Sequence, residues 1–156
     1  MQFDELKFVC QQAASDLATK RERPLPPTVV LPGPDRTQLV TLPDFPADDE
    51  SRHAVIAQLA LDHVAGPGVP CWGFIAEAEA SGRDVVVVVF GARRHPPRLT
   101  AAAFDDQGLE EFIDDEPLDP TAMPFLHPLQ HAVDAMEAVT DVFAEFDPKR
   151  GSLPTL

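Results

Sequence analysis

The sequence predicts an α+β domain in which one five-stranded antiparallel sheet packs with helices, and three observations lead there. The stretch from Val69 to Asp105 is cut into three apolar runs by turn signals at Ser81-Gly82 and at the Arg93-Arg94-His95-Pro96-Pro97 corner, which marks a three-stranded meander. A shorter pair of β-branched runs before it reads as a hairpin. Helical periodicity brackets both ends of the chain.

Taken in order, apolar residues first recur at Phe3, Leu6, Val9, Cys10, Ala13, Ala14 and Leu17, the spacing of one helical face. Asp4 and Glu5 at its start and Lys20 and Arg21 at its end suit the helix dipole, and Pro24, Pro26 and Pro27 stop it. Thr28-Val29-Val30-Leu31, the turn Pro32-Gly33-Pro34-Asp35 and Thr37 to Leu42 form the hairpin. Asp48-Asp49-Glu50 supplies caps for a second helix with Val55, Ile56, Leu59, Ala60 and Val64 on one face, ended by Gly66-Pro67-Gly68.

In the first meander strand Trp72, Phe74, Ala76 and Ala78 share one face and Cys71, Gly73, Ile75, Glu77 and Glu79 the other, so the Trp/Phe side is expected to meet the main core. The second strand holds five consecutive valines with no polar face, which requires cover on both sides or a central place in the sheet. The third runs from Arg98 to Phe104. A short helix is expected within Gly108 to Asp115, with Leu109, Phe112 and Ile113 inward, before Pro117 and Pro120. The last helix is expected from Pro128 to Phe146, carrying Leu129, Ala132, Val133, Met136, Val139, Phe143 and Phe146 on its apolar stripe.

The resulting order, α-β-β-α-β-β-β-α-α, resembles the roadblock, longin and profilin-like architecture, where a hairpin and a meander form one sheet between helices. This is a likeness of topology over about the first two-thirds of the chain, and topology alone carries no function with it. One domain is expected over residues 1–147, followed by a tail at 148–156.

A chain of 156 residues with a mean hydropathy of −0.10 can bury one core. Its net charge of −14 disfavours nucleic acid and anionic membranes as partners. Half of the 26 acids, and none of the 12 bases, fall between Ala101 and Asp147, which reads first as an acidic face that keeps the protein in solution and otherwise suits a protein partner of basic character. Cys10 and Cys71 lack the spacing of a metal or redox motif and read as reduced thiols. No signal segment opens the sequence, and the longest apolar run, Val85 to Phe90, is too short for a bilayer, so a cytoplasmic location is expected.

Four groups carry chemistry of interest. His127 and His131 sit four apart, but Pro128 stands where a zinc protease has Glu, so helix-start packing is the expected role and no metal or other cofactor is. Glu77 and Glu79 share a strand face and read as a solvated strand end, with Glu77 the harder to dismiss. Arg93, Arg94, His95 and Arg98 make a basic corner that suits an anion or an acidic partner, or else pairs with the chain's own acids. Asp134, Glu137, Asp141 and Glu145 form an acidic helical stripe with no base on the helix; such a stripe is ordinarily a solvated face, and its unrelieved repulsion is also the best hint of an external basic partner.

No phosphate loop, nucleophile elbow or local catalytic pair occurs, and there is no tyrosine. The expectation is therefore a non-catalytic interaction domain, an adaptor or regulatory subunit, as a homodimer. The alternative is a small hydrolase or ligand-binding domain using Glu77 and His127 or His131 near the Arg93 and Arg94 loop.

Overall fold

In the computed structural model, which describes residues 2–20 and 23–135, a helix of eighteen residues, α1 (Phe3–Lys20), precedes the hairpin β1 (Thr28–Pro32) and β2 (Thr37–Thr41). Helix α2 (Asp49–Leu59) follows, and a π-helical turn, Ala60–Ala65, extends it. The meander is β3 (Cys71–Ala80), β4 (Arg83–Ala92) and β5 (His95–Asp105). Two short strands, β6 (Gly108–Leu109) and β7 (Glu116–Pro117), lead to a 3-10 turn, Pro124–Leu126, and a helix over 127–135.

The hairpin joins the meander through β1, which pairs antiparallel with β3, so the sheet runs β2-β1-β3-β4-β5 with β6 and β7 on the far side of β5. The valine strand β4 is thereby central, and its side chains divide between two cores. Val86 and Val88 join Leu6, Cys10 and Ala14 of α1, while Val89 joins Ile56, Leu59 and Val64 of α2 together with Leu129 and Val133. Strand alternation explains the division, since Val86 and Val89 are an odd number of residues apart. Both faces of β3 are covered as well. Trp72 and Phe74 lie in the α2 core, and Cys71 and Ile75 in the α1 core, so the sheet is the middle of three layers.

Local chemistry fixes the helix entries and exits. Asp48 caps α2, accepting from the Ser51 backbone N–H at 2.8 Å. Gly68, with φ of 81°, turns the chain out of the helical segment toward β3. Beneath α2, Phe125 meets Phe45 and Phe74 edge-on with ring centres 5.5 and 5.6 Å apart.

The segment after Asp105 departs from expectation. Residues 108–115 do not form a helix; they run extended along the open edge of β5, and the sheet has more than five strands. Backbone bonds from Glu110 to Ala103 O (2.8 Å), from Ile113 to Ala101 O (2.9 Å) and from Leu118 to Pro97 O (3.0 Å) hold the segment there, and Thr100 Oγ1 donates to Ile113 O at 2.6 Å. A strand edge offers unpaired donors and acceptors that a helix lying alongside could not satisfy. Leu109 and Phe112 still pack on the α1 core, but Ile113 points outward and is 63% exposed. The final helix is described as far as residue 135. The expected positions Met136, Val139, Phe143 and Phe146, and the tail at 148–156, lie outside the described residues.

Candidate functional site

The β4–β5 corner is built by a strand irregularity. Strand register shifts between Phe90 and Ala92, and Gly91 sits at the shift. A Cβ there would overlap Gln130 Oε1 and come within 2.9 Å of Trp72 Nε1, so only a glycine lets the helix over 127–135 approach. Through that approach Gln130 bridges three elements. Its Oε1 accepts from Trp72 Nε1 at 3.0 Å, and its Nε2 donates to Ala92 O at 2.9 Å. The same Nε2 lies 3.2 Å from Asp134, whose Oδ1 accepts from the Arg94 backbone N–H at 3.2 Å. Arg94 holds a left-handed φ of 65°, and the carboxylate and the Arg93 N–H bond to Pro70 O (3.1 Å) brace that turn.

The basic corner is largely engaged with the protein's own groups. Arg98 Nε donates to Asp115 Oδ2 and its Nη2 to Asp115 O, while Lys7 Nζ reaches Asp115 Oδ1 at 3.0 Å. The Arg98 guanidinium, and then the Lys7 ammonium, hold the Asp115 carboxyl below its ordinary value. His95 stacks on Phe3 of α1 with ring centres 4.4 Å apart. Beside this stack Arg93, Cys71 and Pro70 line a groove of about 290 Å³. Burial pushes the Cys71 thiol up, away from the thiolate a nucleophile requires, and pushes Cys10 up to about 12, with Cys71 adding to the effect.

Of the acidic stripe, Asp134 is placed at the corner; Glu137, Asp141 and Glu145 lie outside the described residues. His127 and His131 are exposed on one face of their helix with ring centres 6.1 Å apart. Among the described residues no three His, Cys, Asp or Glu side chains stand together as a metal site. His131 lines a groove of about 540 Å³ between Ala57, Ala60, Leu61 and Ala132.

Glu77 lies elsewhere. Its carboxylate takes Arg23 Nη2 at 3.0 Å and the Leu25 N–H at 3.1 Å, tying the chain before β1 to the sheet, and Arg23 reaches Asp84 at 2.6 Å as well. Glu77 pairs with Val86, far along the ladder from the Cys71–Ala92 pair that borders the corner, a separation of about 20 Å at ordinary strand rise. The corner and the histidine helix meet, but Glu77 does not join them. Reading by local spacing missed Gln130, Asp115 and Gly91, which matter most here. Only Gly91 left a trace, as a glycine inside an apolar strand, the usual sign of a close approach.

No protein-family model, curated protein or solved structure matches this chain.

Proposed function

We propose that the protein is a non-catalytic protein-interaction domain, an adaptor or regulatory subunit of the cytoplasm, whose partner brings a basic surface with an apolar recess. The observation that carries this reading is the strap over β5. Its backbone is bonded into the sheet, so its outward side chains are held in fixed positions, and among them Ile113 is 63% exposed between the exposed acids Glu111, Asp114 and Glu116. An apolar anchor ringed by like charges suits a desolvated contact with a charged rim. Further support comes from Arg98, Asp115, Asp134 and Glu77, whose charged groups are engaged in holding the fold together. No described helix is long and apolar enough to cross a membrane, in keeping with a partner met in water.

The test is photo-cross-linking from position 113 in cells, then binding of the captured protein, once purified, to wild type, Ile113→Asp and Glu111→Gln/Asp114→Asn. Both variants are expected to weaken binding at least about tenfold, and salt to weaken the wild-type complex. Binding unchanged in both variants would overturn the proposal.

A further inference from the structure

The opposite edge of the sheet carries a different surface. Bonds from Leu42 N to Pro27 O (2.8 Å) and from Gly33 N to Arg36 O (2.9 Å) bracket the hairpin and set its hydrogen-bond phase. With the register Val29↔Val40 and Leu31↔Gln38, alternation directs the backbone groups of Gln38 and Val40 inward to β1. Those of Thr37, Leu39 and Thr41 therefore face out from the edge of the sheet. Edge strands are ordinarily guarded by charge, proline or cover, and Thr37–Thr41 has neither charge nor proline. The side chains of Thr37, Leu39 and Thr41 lie on the α1 side, because Val30 opposite Leu39 belongs to the α1 core. There Leu39 is 44% and Phe8 66% exposed, and with Val9, Ala13 and Leu17 they line a groove of about 470 Å³.

We infer that β2 pairs with β2 of a second copy, forming a two-fold dimer with one continuous sheet. The outward set Thr37, Leu39, Thr41 reads the same in both directions about Leu39. Antiparallel self-pairing there puts Thr37 opposite Thr41 of the second copy and Leu39 opposite Leu39, with on the order of six new backbone hydrogen bonds. Isologous contacts require such self-complementarity. The flanking Asp35 and Arg36 fall opposite Pro43 and Leu42, so no like charges oppose each other along the paired edge. The groove itself carries one acid, Asp16, and one base, Lys20, which makes it neutral in a chain of net charge −14. A basic partner has little to recognise on such a surface, and a second copy meets no local repulsion.

Two measurements on the full chain decide it. In sedimentation equilibrium the wild type is expected at about twice the 17.0 kDa chain mass, and Leu39→Lys to weaken association at least about tenfold with unchanged circular dichroism. For the register, Thr37→Cys and Thr41→Cys chains are oxidised separately and mixed, and cross-linked dimers are expected in the mixture above either alone. That second arm holds even if Leu39→Lys fails to fold. A wild-type monomer, a dimer indifferent to a folded Leu39→Lys, or no excess of mixed cross-link overturns the inference. Ile113→Asp is expected to leave the dimer intact, which keeps this result separate from the strap proposal.

Discussion

Trp72 Nε1 donates to Gln130 Oε1 at 3.0 Å, and that one bond ties the first strand of the meander to the helix that closes the α2 core. Trp72 is fully buried, so its N–H has no water to turn to. Gln130→Ala is expected to cost about 1 to 3 kcal/mol, the penalty of an orphaned buried donor together with the lost bond to Ala92 O. Trp72 is the chain's only tryptophan, so fluorescence-monitored urea unfolding reads both stability and surroundings. In a Trp72→Phe background, followed by circular dichroism, the cost of Gln130→Ala is expected to shrink, because no indole donor remains. Equal costs in both backgrounds would show that the bond contributes nothing.

Gly73 makes room for Cys10. A Cβ at position 73 would overlap Cys10 Sγ and sit 3.2 Å from Val30 Cβ. Gly73→Ala is therefore expected to destabilise by about 1 to 3 kcal/mol through overpacking. The Gly73→Ala/Cys10→Ala double variant is expected to be more stable than the sum of the two single effects predicts, and a double-mutant cycle by chemical denaturation measures that coupling. The same burial makes stability sensitive to alkali. With its pKa raised from 9.0 to about 12 in the fold, Cys10 contributes stability that is fully present below pH 9 and is lost as pH rises toward the folded value. Replacing Cys10 by Ala is expected to flatten that part of the pH profile.

Asp115 governs the acid side. Its carboxyl is held below the ordinary 3.8 by Arg98 and then Lys7, so the folded state binds its proton less readily than the unfolded chain does. The resulting stability is present above about pH 4 and is lost as pH falls through the lower folded value. Asp115→Asn is expected to cost about 1 kcal/mol at neutral pH, since both bases remain partly exposed, and the difference from wild type should close in strong acid. Urea midpoints measured across pH test this, and a constant difference at every pH would assign the effect to packing.

The legible part of this protein was the part written in neighbouring residues. Side-chain alternation and period fixed α1, the β1–β2 hairpin and the meander, because each repeats on a scale of two to four residues. Five valines in a row required a doubly covered strand, and β4 is one. The failure at 108–115 has the opposite cause. Leu109, Phe112 and Ile113 have helical spacing, but the open edge of β5 outbid it, and no local pattern announces a partner edge.

Sequence alone, then, determined α1, α2, the hairpin and the meander, that the valine strand is interior, and that the acids gather late in the chain. Tertiary structure alone decided that Arg98 finds Asp115, that Asp134 braces the Arg94 turn, that Glu77 anchors Arg23, and that the two edges of the sheet differ in character. Those pairings join residues 17 to 54 positions apart, and only the assembled sheet places their backbones within reach of one another.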